Sequence, residues 1–179
     1  MANSQITKRV LAKSLKELVQ KIPLEKITIA DICKDYGMSR KSFYYHFRDK
    51  YDLLRYIFQS EFMMQQPQEI TNKKEIYYKL CQYLYENKEF YRHVFRPHQH
   101  NYFLLYFQEV IQKYAEDSVA DLMIEYHNTN DFYIHFLTAG ITDAIQRWIT
   151  DHTPVPPEEV VSKTSLLLEK IGLQISQER

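Results

Sequence analysis

A short run of cationic, hydroxylated and aromatic residues, SRKSFYYHF, occupies positions 39–47. If the run is helical, Phe43 and Phe47 lie four positions apart on one side and can pack inward together. Arginine and lysine can donate to the O6 and N7 atoms of guanine, and serine, tyrosine and histidine can donate to phosphate oxygens. The run therefore has the chemistry of a surface that binds nucleic acid. Its outward side chains would be Arg40, Lys41, Ser42, Tyr44, Tyr45 and His46.

The residues before this run predict the helices that hold it in place. Apolar residues at helical spacing predict a first helix over positions 4–22. Thr28 and Asp31 form a capping-box pattern that begins a second helix, and Gly37 supplies a turn with positive φ after it. Ser39 is the expected N-cap of the third helix. Two short helices joined by a glycine turn are the arrangement that places the second helix in the major groove of DNA.

Charge is distributed unevenly along the chain, although the formal net charge is zero. Residues 1–60 contain twelve Lys and Arg against six Asp and Glu, whereas residues 61–179 contain eleven against seventeen. A basic head joined to an acidic remainder is typical of a DNA-binding domain attached to a domain that does not bind DNA. The polar, proline-containing stretch 63–72 separates the two parts. We therefore predict a DNA-binding domain over 1–60 and a regulatory and dimerisation domain over 61–179.

The remainder of the chain also has the pattern of helices. Three glycines in 179 residues are few for a β protein, and apolar residues recur at helical spacing with no alternating strand pattern. We predict an all-α fold of about nine helices. No window is apolar enough to span a membrane and no N-terminal signal segment is present, so we expect a cytoplasmic protein.

Signals for metal binding or catalysis are weak. His93, His98 and His100 lie close in sequence but do not have the spacing of a zinc site. Cys33 and Cys81 are too far apart for a metal motif. No glycine-rich phosphate loop, nucleophile elbow or HExxH sequence is present. We therefore expect no metal, no cofactor and no enzymatic activity, although a small helical enzyme is the third alternative.

The sequence TIADICKDYGMSRKSFYYHFRDKYDLL, positions 28–54, resembles the DNA-binding domain of the TetR family of bacterial transcriptional regulators. The resemblance covers residues 5–58 and follows the order of a helix, a glycine turn, S-[RK]-x-x-[FL]-Y-x-H-F and a lysine that begins the next helix. It implies phosphate contacts from Tyr44, His46 and Lys50. One departure is Lys41, where many members of the family carry glycine or alanine.

The same resemblance implies a backbone contact from Thr28 and groove contacts from the residues at the start and centre of the third helix. Ser39 is included because it begins that helix. The predicted DNA-binding residues are Thr28, Ser39, Arg40, Lys41, Ser42, Tyr44, Tyr45, His46 and Lys50.

Members of the TetR family are usually dimers whose last two helices form a four-helix bundle across a twofold axis. Apolar residues at helical spacing near the C-terminus agree with such a bundle, and Gly140 and Ala144 would allow a neighbouring backbone to approach closely. The alternative is that these residues pack inside one subunit. The predicted interface residues are Leu137, Gly140, Ile141, Ala144, Ile145, Trp148, Leu167, Leu168 and Ile171.

The tyrosine- and phenylalanine-rich stretch 77–107 is compatible with an inducer pocket or with plain core, because the two share a composition. The segment over 86–111 also resembles a subgroup of shorter family members that regulate dihydroxyacetone kinase operons, and regulators of that type respond to a partner protein. We expect a homodimeric repressor that binds an inverted-repeat operator in double-stranded DNA and responds to a small-molecule inducer or a partner protein. The alternative is an activator or co-regulator controlled by a docked partner protein.

Overall fold

The computed structural model describes the backbone of residues 2–66, 73–96, 102–123 and 131–177. Within these ranges the chain forms nine α-helices and two short 3₁₀ turns, with no strand, so the predicted all-α fold is confirmed. The 3₁₀ turns are Leu24–Lys26 and Met63–Gln65. The α-helices are α1 (Ala2–Val19), α2 (Ile29–Lys34), α3 (Arg40–His46), α4 (Lys50–Glu61), α5 (Lys73–Glu86), α6 (Lys88–Val94), α7 (Tyr102–Met123), α8 (Asp131–Thr150) and α9 (Pro157–Gln177).

Packing divides the chain into two compact units. The first unit comprises Met1–Gln66 with Glu89–Tyr106, and the second comprises Pro67–Lys88 with Phe107–Arg179. Most of α6 and the first residues of α7 therefore pack with the N-terminal helices. The division of the chain into a DNA-binding domain over 1–60 and a regulatory and dimerisation domain over 61–179 stays a prediction, because it assigns functions as well as packing.

The core of the first unit is built from one face of each of its helices. Leu11 and Leu15 of α1 are fully buried, as are Phe43 of α3 and Ile57 of α4. The hydroxyl of Ser14 is also buried, and it donates to the backbone carbonyl of Ile32 in α2 at 2.9 Å. Burying each of these large apolar side chains contributes roughly 1.5–3 kcal/mol, so helices α1 to α4 hold one another at fixed angles.

An aromatic cluster completes this core. The ring of Phe58 in α4 meets those of Tyr91, Phe103 and Tyr106 edge to face, at centroid distances of 6.5, 6.0 and 6.2 Å. Such arrangements place the positive edge of one ring against the negative face of another. The cluster explains why α6 and the start of α7 belong to the first unit.

In the second unit, α5 packs against α9 around Tyr77. The Tyr77 hydroxyl lies 3.3 Å from the hydroxyl oxygen of Thr164, and its ring stacks on Tyr114 with centroids 5.0 Å apart. Burial raises the pKa of Tyr77 and raises that of the Cys81 thiol to about 12, so both groups stay neutral at physiological pH. The tyrosine-rich stretch supplies core at these positions.

Trp148 of α8 stabilises the connection between α8 and α9 by a hydrogen bond. Its indole Nε1–H donates to the carbonyl oxygen of Val155 at 2.8 Å, and its ring stacks with that of Tyr85 at 6.0 Å. Helix α9 then begins at Pro157, where the missing N–H has no cost, and carries Glu158 and Glu159 in its first turn, where the helix dipole favours negative charge.

None of the helices, within the part of the chain that the structure describes, is long and apolar enough to cross a membrane. The described residues also contain no group of three or more His, Cys, Asp or Glu side chains placed to hold a metal ion. His98 and His100 lie outside the described residues.

Candidate nucleic-acid interface

The start of α2 is fixed by the capping box that the sequence predicts. The backbone N–H of Thr28 donates to Asp31 Oδ2 at 2.9 Å, and the N–H of Asp31 donates to Thr28 Oγ1 at 3.2 Å. The Thr28 hydroxyl also donates to the same carboxylate at 2.6 Å. Hydrogen bonds from the side chain and backbone of Thr28 hold the pKa of Asp31 below its ordinary value. Asp31 is therefore ionised at neutral pH, and the hydroxyl of Thr28 is already engaged in the cap.

Gly37 forms the turn between α2 and α3. Its φ is +61°, in the left-handed region that side chains with a Cβ rarely adopt. The Gly37 N–H donates to the carbonyl of Lys34 at 3.1 Å, and the Met38 N–H donates to that of Cys33 at 3.0 Å. This pair of bonds is a Schellman motif, which ends a helix by satisfying its last carbonyls. The turn sends the chain directly into α3.

Helix α3 begins where predicted. The side chain of Ser39 accepts a hydrogen bond from the backbone N–H of Ser42 at 3.1 Å, which makes Ser39 the N-cap. The thiol of Cys33 lies 3.7 Å from the carbonyl oxygen of Ser39, so the preceding helix also supports this cap.

The two faces of α3 differ sharply in exposure. Phe43 and Phe47 are buried with ring centroids 5.8 Å apart, as their spacing predicts. On the other side, Tyr45 is 82% exposed and Tyr44 is 51% exposed. Arg40 and Lys41 are exposed, and Ser42 and His46 are half-buried beside them. Six of the predicted DNA-binding side chains are thus brought together on a helix held from behind by two phenylalanines.

His46 lies at the end of this surface, with its ring centroid 4.9 Å from that of Tyr45. Burial lowers the pKa of His46, and the nearby ammonium of Lys8 lowers it further. Its ordinary value is already 6.5. His46 is therefore a neutral imidazole at physiological pH, able to donate one hydrogen bond without adding a positive charge.

Lys50 is placed differently from the other predicted DNA-binding residues. Its ammonium donates to three backbone carbonyl oxygens, those of Leu24 at 2.7 Å, Glu25 at 3.0 Å and Ile27 at 2.9 Å. An ammonium has three N–H donors, so these bonds use all of them. The predicted phosphate contact of Lys50 would require some of these bonds to break.

Two cations at this surface were not singled out by the sequence. The Lys8 ammonium lies over the rings of Phe47 and Tyr56, at 5.9 and 5.5 Å from their centroids, so it covers the end of α3 from α1. Arg48 follows α3 directly, and its side chain is 78% exposed. The periodicity of α1 shows which of its residues are buried but does not show which neighbouring helix its cations reach.

The predicted dimer residues fall on two different sides of α8 and α9. Gly140 and Ala144 are exposed. Ile141, Ile145 and Trp148 are buried within the second unit of a single chain. Leu137 and Leu168 are half-buried, Leu167 is exposed, and the side chain of Ile171 lies outside the described residues.

Other apolar residues of these two helices are also exposed. Phe132 and Phe136 precede Gly140 and Ala144 at intervals of one turn, are exposed, and have rings 6.1 Å apart. On α9, Leu166 is exposed beside Leu167. We call these six residues the outer apolar strip: Phe132, Phe136, Gly140, Ala144, Leu166 and Leu167.

Comparison with known proteins identifies the class. Residues 13–57 match the family model described as "Bacterial regulatory proteins, tetR family", and residues 71–170 match that described as "Transcriptional regulator C-terminal region". The chain belongs to the TetR family of bacterial transcriptional regulators. The predictions of this family and of a DNA-binding regulator are confirmed, and both descriptions denote regulators and not enzymes.

Among individual proteins, the chain is similar to the HTH-type dhaKLM operon transcriptional activator DhaS of Lactococcus lactis subsp. lactis (strain IL1403). The two are 30% identical over 127 residues, which cover 65% of this chain and 65% of the length of that relative.

Two solved structures share the fold. One, "Dihydroxyacetone kinase operon activator DhaS", has a TM-score of 0.68 and 23% identity, and the match covers 92% of this chain and 95% of that chain. The other, a TetR transcriptional regulator from Streptococcus agalactiae 2603V, has a TM-score of 0.70 and 19% identity, covering 93% and 96%.

Proposed function

We propose that the protein acts in the bacterial cytoplasm as a homodimer that binds an inverted-repeat operator, with α3 of each copy in the major groove. The observation that carries this proposal is the division of α3 into a buried side and an exposed cationic and aromatic side. A short helix held by its buried side on a rigid support is suited to enter a groove about 12 Å wide.

The proposed contacts follow from where each side chain lies. Arg40 and Lys41, in the first turn of α3, are the candidates for base contacts, since long cations reach guanine edges in the major groove. Tyr44 and the neutral His46 would donate to phosphate oxygens and set the register of the helix. Tyr45, with 82% of its surface exposed, is more accessible to DNA than Tyr44, which is 51% exposed. Thr28 and Ser39 cap the starts of α2 and α3, and Ser42 lies in the first turn of α3, so each could contact DNA from a helix start.

The outer apolar strip supports the proposed dimer. Phe132 and Phe136 of α8 and Leu166 and Leu167 of α9 are exposed, and exposed large apolar side chains are typical of a surface that a partner covers. The exposed Gly140 and Ala144, one turn apart, would allow a second backbone to approach. The half-sites of an inverted repeat lie about 34 Å apart, one DNA turn, so a twofold dimer that binds such an operator must present its two copies of α3 at that spacing.

Alanine in place of Arg40 should relax base preference in the operator. If Arg40 makes a bidentate base contact, the loss is about 1–3 kcal/mol at one base pair of each half-site, and affinity for other base pairs there becomes similar. Competition binding against operators substituted at each position measures this effect. Lys79→Ala, which removes a cation paired with Glu75 in the second unit, is the charge control and should leave the preference unchanged. Unaltered base preference in Arg40→Ala would exclude a base contact from this residue.

The direction of regulation has two candidates. The sequence favours repression, but the printed names of the Lactococcus relative and of one structural neighbour describe activators, which favours the alternative of activation. A small-molecule inducer or a partner protein acting on the second unit fits either direction. Reporter expression from the promoter that the protein binds separates them, because deletion of the gene lowers expression under activation and raises it under repression.

A further inference from the structure

A pocket of about 240 Å³ lies between the start of α4 and the start of α7, and both segments belong to the first unit. Its lining consists of two arginines, two aspartates and three tyrosines. We propose that this pocket, which we call the α4–α7 pocket, is a binding site for a small aromatic carboxylate. The inference goes beyond the proposed function, because it concerns a ligand of the protein without DNA.

The tyrosines give the α4–α7 pocket flat aromatic walls. The rings of Tyr51 in α4 and Tyr102 in α7 meet edge to face, with their centroids 5.8 Å apart. Tyr102 is 55% exposed, so a ligand can reach it without moving the core. Tyr106, one turn further along α7, packs against Phe58 at 6.2 Å and lies 5.9 Å from the guanidinium carbon of Arg55. A planar ligand ring can stack on such rings or meet them edge to face, as aromatic side chains do among themselves.

Arg48 supplies a positive charge whose hydrogen-bond donors are largely unused. Its side chain is 78% exposed, and its Nε lies 3.9 Å from Asp52 Oδ2, which is longer than a hydrogen bond. Among the described residues this is the one ion pair that its guanidinium makes. A guanidinium has five N–H donors in a planar fork that matches the two oxygens of a carboxylate. Arg48 can therefore bind a carboxylate that enters the pocket.

The two aspartates of the pocket are already engaged by the protein. Asp49 Oδ1 accepts from the backbone N–H groups of Tyr51 and Asp52, both at 2.8 Å. Asp52 accepts from the guanidinium of Arg55 through one carboxylate oxygen and from the backbone N–H of Arg48 through the other. The two positive and two negative groups balance, but the donors that remain available are those of the Arg48 guanidinium. The ligand that this arrangement favours is an anion.

The ionisation and the size of the α4–α7 pocket narrow the class of ligand. Burial raises the pKa of Tyr51, and the carboxylate of Asp49 raises it further, so the phenol stays neutral and adds no negative charge to the pocket. A volume of about 240 Å³ is smaller than that of pockets for drug-sized ligands, which is roughly 300–1,000 Å³. The pocket therefore suits a single aromatic ring that carries one carboxylate.

The test uses the wild-type chain without DNA, with sodium benzoate as the probe at constant pH and ionic strength. Three related compounds serve as comparisons. Benzamide keeps the ring and removes the charge, cyclohexanecarboxylate keeps the charge and removes the flat ring, and benzylamine reverses the charge. Titration followed by NMR should give a dissociation constant of about 1 mM or below for benzoate, an affinity within reach of so small a ligand. Each of the three comparison compounds should bind at least about fivefold more weakly, because each loses either the charged hydrogen bonds or the ring contacts.

Two exposed side chains of the pocket can be replaced without disturbing the core. Arg48→Gln removes the guanidinium and should weaken benzoate binding about tenfold, while the affinity for benzamide stays unchanged. Tyr102→Leu removes one ring and should reduce the preference for benzoate over cyclohexanecarboxylate about threefold. The matched controls are Arg9→Gln and Tyr36→Leu, which remove an exposed arginine and an exposed tyrosine elsewhere in the first unit. Both control variants should bind benzoate as the wild type does.

Intermolecular nuclear Overhauser effects in the wild-type protein locate the ligand even if a variant fails to fold. The ring protons of benzoate should show contacts to those of Tyr51 and Tyr102 and none to those of Tyr36. Contacts confined to other residues, no saturable binding of benzoate, or wild-type affinity in both pocket variants would overturn the site. Binding of benzamide, cyclohexanecarboxylate or benzylamine as tight as that of benzoate would overturn the ligand class. Because none of these measurements contains DNA, a failure here is distinguishable from a failure of the proposed function.

Discussion

Replacing Phe43 by alanine should abolish specific DNA binding by destabilising the helices that present α3. Phe43 is fully buried in the first unit, and its ring centroid lies 5.8 Å from that of Phe47 and 5.6 Å from that of Tyr44. Truncating a buried phenylalanine costs about 3–5 kcal/mol, a large share of the stability of a small domain. Urea denaturation followed by circular dichroism should show a lower midpoint, and binding to a duplex selected from a random library with the wild-type protein should fall in parallel.

The matched control for this variant is Tyr45→Ala on the same helix. Tyr45 is 82% exposed, so its truncation should change the free energy of unfolding by less than about 0.5 kcal/mol. It should nevertheless weaken DNA binding if the exposed side of α3 is the contact surface. Equal destabilisation by the two substitutions would show that α3 does not divide into an inner and an outer side.

Replacing Leu167 by glutamate should convert the protein to a monomer. Leu167 is 58% exposed in the outer apolar strip, and a carboxylate there would have to be buried without a partner in the proposed interface. Affinity for a two-half-site operator should fall about 10²–10⁴-fold, because the second α3 would no longer bind as part of the same molecule. Sedimentation equilibrium measures the mass, and binding to duplexes with one and two half-sites measures the lost coupling.

Leu105→Glu is the matched control, because it places the same charge at a leucine of nearly equal exposure on a different helix. Leu105 is 57% exposed on α7 in the first unit, outside the outer apolar strip, so this variant should remain dimeric. If Leu167→Glu sediments as a dimer, or if both variants dissociate equally, the outer apolar strip is not the dimer surface.

The local features of the candidate site could be predicted from the sequence because they depend on near neighbours. The capping box of Thr28, the positive φ of Gly37, the cap of Ser39 and the burial of Phe43 and Phe47 each follow from residue types a few positions apart. The helical periodicity of the remaining chain predicted the all-α fold for the same reason.

Two features depended on contacts between distant residues and could not be predicted. A lysine at the start of α4 looks the same in sequence whether it faces phosphate or the carbonyls of Leu24 and Ile27, which lie 26 and 23 positions earlier. In α8, periodicity indicated apolar positions but did not show that Ile141 and Ile145 pack inside the chain while Gly140 and Ala144 face outward. When a helix has apolar residues on two sides, only the positions of the neighbouring helices show which side is buried.

In the proposed function, the outward side of α3 binds DNA phosphates and bases as part of a dimer. The most direct measurement is the affinity of the wild-type protein for a selected duplex as a function of salt concentration. Neutral donors such as Tyr44 and His46 release no counterions, so the salt dependence comes from the exposed cations of this surface, Arg40, Lys41 and Arg48. If one of these cations in each copy neutralises a phosphate, the dimer should show a slope of log affinity against log salt of about −1.8 or steeper. Affinity that does not change with salt, or failure to retain any duplex at low salt, would contradict the account.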